Sequence, residues 1–429
     1  MTMTDTSNRT TTGAAATGTE LEGSDRYLVI SADGHAGADL LDYKPYLPAA
    51  LHGEFDAWAA AYENPFADLL APTAYRNWDS DRRLAEHDAD GVVAEVLYPN
   101  TVPPFFEHGN LLARPPSEAD YDRRWAGLQA HNRWVVDFCG QAPDRRAGII
   151  QIFLNRLDDA LAEIRALHDQ MRVCGGVLLP SVPPNSGLRE LWDPFYEPLW
   201  GLCEELDLPV NVHSGNGLPE YGDLEAARAI MLIEIPWFSH RPLWHLMFGG
   251  VFDRHPALRI TQTEQGVAWI PRGLDTLDWF YKRMTTGGAA EAVFFGAVAA
   301  SMSMLPSEYY RKHVWVGASF LRPSEAPLIP DIGVDRIMWG HDYPHSEGTY
   351  PYSTEGLRAA FAGLPSADVA RMVGLNAAEV YGFDVAALRP IADRIGPTVD
   401  AVAEPLDPAD YPTDSTCNAF EREPALKAW

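Results

Sequence analysis

An aspartate and a histidine one residue apart, Asp33 and His35, close an apolar run in the segment LVISADGHAG at 28–37. In an extended chain the period of two aims both side chains at one face, where a carboxylate oxygen and an imidazole nitrogen can grip one metal ion. Three later runs end the same way: His213 after Leu208-Pro209-Val210-Asn211-Val212, Glu264 after the run from Leu258 to Thr263, and Asp342 after Arg336-Ile337-Met338-Trp339-Gly340-His341. His213 offers a neutral nitrogen, while Asp33, Asp342 and Glu264 offer anionic oxygens. A divalent ion held this way with open positions lowers the pKa of bound water toward ~7 and polarises a carbonyl. A carboxylate of the set can also bridge two ions or take the proton of the attacking water. Such donors admit one or two ions of Zn, Fe or Mn. Taken singly, each residue has a blander use: Asp33 in a turn before Gly34, His213 as a satisfied strand-end histidine, Asp342 in an Asx turn ahead of Pro344, Glu264 paired with Arg254 or Arg272.

These residues are spread over some hundreds of positions, so only a fold that gathers strand ends unites them. Short apolar runs at Tyr27–Ala32, Val92–Tyr98, Ala147–Phe153, Gly176–Pro180, Pro209–His213, Leu258–Thr263, Val314–Ala318 and Arg336–Gly340 read as strands. Helix-like stretches separate most of them, as at Asp158–Met171 and Pro194–Leu206. Eight buried strands alternating with helices predict an α/β fold, a (β/α)8 TIM-like barrel, whose active site is built at the C-terminal strand ends. Asp33, His35, His213, Glu264 and Asp342 all fall on that side, which favours the joint reading over the separate ones. The loops after the first two strands are long and aromatic, with a helix expected near Phe55–Tyr62, and cover the C-terminal face. The spacing divides the chain into a polar tail at 1–26, the barrel at 27–384 and a Pro-rich, acidic extension at 385–429.

Composition bounds the partners. With 33 basic against 60 acidic residues the formal charge is −27, so the long-range field repels phosphate backbones and anionic membranes. Neither nucleic acid nor a membrane is an expected partner; a small-molecule substrate is. No apolar stretch is long enough to span a bilayer and no signal-peptide pattern opens the chain. Cys139, Cys174, Cys203 and Cys417 lack C-x-x-C spacing and read as thiols of a reducing cytoplasm. A homodimer is the general prior.

Further residues fall near the predicted site. His240, in Trp237-Phe238-Ser239-His240-Arg241, can act as ligand or acid, whereas His245 and His255 belong to a helix. His345 lines the pocket or stabilises its loop. Arg322 and Arg241 suit a bidentate grip on a carboxylate or phosphate, and Trp237 and Phe320, with Phe105, Phe106, Phe238 and Tyr343, suit a bulky apolar substrate. Salt bridging and ordinary packing are the alternatives. No G-x-S-x-G elbow accompanies Ser214, and no Gly-rich phosphate loop is present.

The stretches ADGH, PVNVHSG, GGVFDRHPALRITQTEQGVAWIP, GHDYPHSEGTYP and GLNAAEVYGF together resemble the amidohydrolase superfamily, in particular the amidohydrolase 2 group related to aminocarboxymuconate semialdehyde decarboxylase. The resemblance covers most of 27–384. It implies that Asp33 and His35, as the [HDE]-x-H pair, bind metal with His213 and Asp342. It departs at strand six, where many members carry a histidine and this chain carries Glu264.

That departure removes the usual proton-handling group, so the expected activity is metal-dependent hydrolysis. Asp342 or Glu264, with His240 as a further catalytic candidate, deprotonates a metal-bound water that cleaves an amide, ester or thioester of a bulky acid. The alternative is decarboxylation or hydration of an unsaturated or aromatic acid. A noncatalytic, ligand-binding barrel would instead hold little metal.

Overall fold

The computed structural model describes residues 24–421 except 65–66, 108–112, 181, 216 and 223. The polar tail expected at 1–26 therefore lies, up to residue 23, outside the described residues. Eight parallel strands run in sequence order around one sheet: β1 Ile30–Ala36, β2 Ala94–Pro99, β3 Arg146–Gln151, β4 Val173–Leu178, β5 Val210–His213, β6 Ile260–Thr263, β7 Val314–Ala318 and β8 Ile337–Trp339. A parallel bridge from Gly34 to Tyr343 joins the last strand's exit to the first strand. The architecture is the predicted (β/α)8 barrel.

Most strands read as apolar runs because both faces are covered, by the barrel interior and by the outer helices, while β6, Ile260-Thr261-Gln262-Thr263, is largely polar. The expected helices form at Leu157–His168, Glu197–Glu205 and His52–Ala61, within a few residues of their predicted limits. The largest discrepancy is β1, which continues through Asp33 and His35 instead of ending before them. Its register against β2 shifts between Ser31 and Gly34. Gly34 is required there: a Cβ would stand 2.9 Å from Glu95 Oε2 and 3.2 Å from the Val96 carbonyl. Gly340 is required in turn, because its Cβ would meet the Asp33 Cβ at 2.6 Å. These two glycines let the strand bearing two site residues approach the loop bearing a third. Two backbone bonds, His35 N–H to Tyr343 O (2.7 Å) and Asp342 N–H to Asp33 O (2.9 Å), then seal the barrel.

Beyond the barrel, helices Val385–Ile395 and Val399–Ala403 pack along its N-terminal rim, where Tyr27 N–H bonds Pro397 O at 3.0 Å. The chain then returns toward the strand ends. Tyr411, Cys417 and Phe420 pack with Phe320 and Tyr352, and Thr416 Oγ1 donates to Ser346 O at 2.6 Å. No helix among the described residues is long and apolar enough to cross a membrane.

Candidate active site

At the C-terminal mouth of the barrel, ligand atoms of Asp33, His35, His213 and Glu264 all lie within 4.8 Å of one another. His35 belongs to a second group of the same dimensions with Asp342 and His345. His35 Nε2 stands 3.2 Å from Asp33 Oδ1 and 3.3 Å from Asp342 Oδ1. His213 Nε2 is 3.0 Å from Glu264 Oε2 and 3.7 Å from Asp33 Oδ1. Five residues read from the sequence as metal ligands, and His345 beside them, are thus brought to one place from four strand ends.

Two features distinguish this cluster from ordinary buried ion pairing. Asp33 Oδ1, Asp342 Oδ2, His35 Nδ1 and Nε2, and His213 Nε2 are buried without a hydrogen-bond partner and concentrated in one cluster, where buried polar groups ordinarily find partners. The ion pairs of the three carboxylates run only to histidines, so the cage carries more negative than positive charge. Both features fit a divalent cation, which would use the orphaned lone pairs and offset the carboxylates. Backbone strain points the same way. Glu264 at φ 57° and Asp342 at φ 56° occupy the left-handed region that side chains other than glycine rarely adopt. Strain of this kind, on the order of 1–3 kcal/mol, persists where surrounding structure enforces it and clusters at functional sites.

The electrostatics follow from the packing. Burial alone would raise the Asp33 carboxyl, but the His213 and His35 imidazoles beside it outweigh that and hold the group far below the usual range. Burial would lower His213, yet Glu264 and Asp33 pull it well above an ordinary imidazole. His345 is pushed up to about 10, because the neighbouring Asp342 overcomes desolvation. Its Nδ1 lies 2.8 Å from Asp342 Oδ1 and its Nε2 lies 3.1 Å from Asn100 Oδ1. The Asp342–His345 pair thus forms the edge of the cluster.

Other candidates fall outside it. His240 is buried against Trp269, with ring centroids 3.7 Å apart, and burial pushes its imidazole down to about 3. It does not join either ligand group. Arg322 is held by Glu325, whose oxygens lie 3.3 Å from Nε and 3.2 Å from Nη2, and it sits beside Gly266 at the rim between the loops after β6 and β7. Arg241 lies over the Phe238 ring, Phe320 packs with the C-terminal segment, and Trp237 projects into solvent from the helix Glu225–Phe248.

Sequence reasoning assigned no role to Ser319, whose hydroxyl donates a short hydrogen bond to Asp33 Oδ2, or to Glu95 behind β1. Glu95 is gripped by Arg83 through Nε (2.8 Å) and Nη2 (2.6 Å), while Arg83 Nη1 donates to the His35 carbonyl at 2.8 Å. A charged residue within the apolar run Val92–Tyr98 was the available signal for it. Ser319 gave none, since its partner lies 286 positions away.

Comparison with known proteins agrees with this geometry. Gamma-resorcylate decarboxylase of Rhizobium sp. (strain MTP-10005) is 25% identical over 313 residues, spanning 71% of this chain and 87% of that protein. The enzyme of the same name from Rhodococcus jostii is 24% identical over 59% of this chain and 75% of its own length. Among solved structures, the 5-carboxyvanillate decarboxylase of Novosphingobium aromaticivorans, complexed with manganese and 4-hydroxy-3-methoxy-5-nitrobenzoic acid, matches with TM-score 0.61 and 19% identity, covering 84% of this chain and 97% of its own.

The expectation of acyl hydrolysis is corrected by these relatives, which are decarboxylases, not amidases, esterases or thioesterases. That expectation rested on the missing strand-six histidine. His345, 2.8 Å from Asp342, is another titratable group in the cluster, so a missing strand-six histidine does not by itself argue for hydrolysis. Three of the matched solved structures carry manganese, in place of the zinc or iron also expected. The amidohydrolase family model matches residues 46–383, from the first long loop to the end of the barrel, and with the eight-stranded frame and the buried carboxylate–histidine cluster in place the chain belongs to that family.

Proposed function

We propose that this protein is a divalent-metal-dependent decarboxylase of an aromatic acid bearing a ring hydroxyl. The observation that carries the reading is that curated relatives over 59–71% of the chain are decarboxylases of an aromatic acid, while the site gathers the donors of a cation cage. Asp33, His35, His213 and Asp342, with Glu264 as an additional oxygen donor, would hold the ion, manganese being the first choice. When bound, the ion supplies charge that orients an anionic substrate and neutralises its negative charge.

The remaining work falls to side chains. The Asp342–His345 pair delivers a proton to the ring carbon that bears the carboxylate. The carbon–carbon bond then breaks, its electron pair returns to the ring, and carbon dioxide leaves. The product retains the proton in place of the carboxyl group. Arg322 at the rim, its Nε and Nη2 already engaged by Glu325, would be the residue to meet a second anionic substituent.

The test is a panel of hydroxylated benzoic acids assayed with manganese-loaded enzyme for carbon dioxide and the decarboxylated phenol, beside aryl esters, amides and thioesters. Stoichiometric carbon dioxide and phenol are expected, with Asp342→Asn lowering kcat by about 10²–10⁴-fold as for a lost acid–base group. Acyl cleavage without carbon dioxide would refute the proposal.

A further inference from the structure

The family match ends at residue 383, yet the chain comes back to the barrel mouth beyond it. The Novosphingobium structure is matched over 97% of its own length but only 84% of this chain. After the two rim helices, Tyr411, Cys417, Ala419 and Phe420 are buried against Phe320 and Tyr352. The Phe420 ring meets the Tyr411 ring at 5.7 Å and 63°, and it lies over Gly356 in the helix Ser353–Phe361, where a Cβ would stand 3.9 Å from its Cζ.

The partners of this segment belong to two loops that carry site residues. Phe320 follows Ser319, whose hydroxyl bonds Asp33. Ser346, whose carbonyl accepts from Thr416 Oγ1, follows His345. Farther along the same loop the Tyr352 hydroxyl bonds both oxygens of Asp414, at 2.8 and 3.0 Å. Tyr352 N–H returns to the Thr349 carbonyl at 2.6 Å, and Thr349 N–H bonds the carbonyl of His341, the neighbour of Asp342, at 3.0 Å. The electrostatics agree with that proximity. Burial, with the Asp342 and Glu347 carboxylates, pushes the Cys417 thiol up to about 12. Burial would lower Arg322, but Glu325 and Glu421 hold it up.

Loops are ordinarily the mobile part of a barrel, whereas a metal centre needs its donors held to within about 0.5 Å. Tyr411, Cys417 and Phe420 are each no more than 6% exposed, which makes their cluster a packed joint and not a lid awaiting closure. We infer that Tyr411–Phe420 is a positioning element of the active site: it ties the loop after β7 to the loop after β8, and so holds Ser319 against Asp33 and His345 against Asp342. The inference rests on the reading of that cluster as the metal centre.

Manganese affinity of the full chain, measured by competition with a chelator, tests it without a substrate. Phe420→Ala should raise the manganese dissociation constant about 10–100-fold, the range of a lost supporting contact. Amides of 319–322 and 343–349 should exchange faster in that variant, while those of β3 and β4 keep their rates. Phe420→Leu should recover most of both effects. Thr416→Val, at an exposed position, should shift both readings in the same direction, and Thr416→Ser should not. A segment that only stabilises the fold would lower the melting temperature and leave manganese affinity and loop exchange as they are; that result in folded Phe420→Ala and Thr416→Val would overturn the inference alone. A wild-type chain that binds no manganese would overturn the reading of the cluster, and the inference with it.

Discussion

Two groups of buried histidines and carboxylates lie back to back in this barrel, and both have the dimensions of a metal site. One is Asp33, His35, His213 and Glu264 with Asp342; the other is His87, Glu95 and His341. They touch, for His341 Nδ1 lies 3.3 Å from the Asp33 carbonyl, and His341 Nε2 lies 3.1 Å from His87 Nε2. Their chemistry differs because of arginine. Arg83 fills both oxygens of Glu95, and Arg146 stands 3.6 Å from it, so the inner group is charge-compensated from within the protein. The outer group has no arginine and keeps unpaired lone pairs. Donor types and spacing alone therefore do not mark a metal centre; what marks it is the absence of internal compensation. The inner group instead steadies β1 through the Arg83–His35 carbonyl bond.

This contrast can be broken by experiment. The largest effect is expected at the outer group. His213→Ala should reduce bound metal below about half an equivalent after manganese loading and lower kcat/KM by about 10³-fold or more, with little change in fold. Metal analysis and steady-state kinetics read both. If the inner group held the ion, bound metal would survive.

Glu95→Gln should do the reverse. It leaves Arg83 buried without its counter-charge, so unfolding free energy should fall by roughly 3–5 kcal/mol in denaturant titrations, while the folded fraction still binds metal. A smaller effect is expected where the groups meet their supports. Ser319→Ala removes the hydroxyl that orients Asp33 and should weaken manganese binding by about 10–100-fold, measured by competition with a chelator.

The smallest effect is in pH. Burial, opposed by Glu95, holds His87 well below an ordinary imidazole. A depressed folded value means that the unfolded chain binds the proton first, so this contribution is intact above about 6.5 and declines as pH falls below it, by up to 1.36 kcal/mol per pH unit. Stability measured between pH 7.5 and 5 should show that slope, and His87→Gln should flatten it.

The barrel was legible because its signals are local and repeated. Each strand is a buried run of three to seven residues, most of them apolar, and period two puts Asp33 and His35 on one face. The candidate ligands were legible because the barrel puts function at one end of every strand, which turned the sequence positions of His213, Glu264 and Asp342 into a spatial statement. His240 shows the limit of that logic. It occupies a helix, where orientation depends on packing against Trp269, and no local period reports that.

The choice of reaction was lost for a related reason. A glutamate at position 264 suggested hydrolysis only if the strand-six residue is the one titratable group beside the cluster, and His345, 2.8 Å from Asp342, is another.

By itself the sequence determined the repeated strand–helix pattern, the acidic charge and the types of donor at the strand ends, because these are properties of neighbours along the chain. The tertiary structure alone decided which carboxylate is filled by arginine and which is left open. That distinction depends on side chains hundreds of residues apart competing for the same lone pairs.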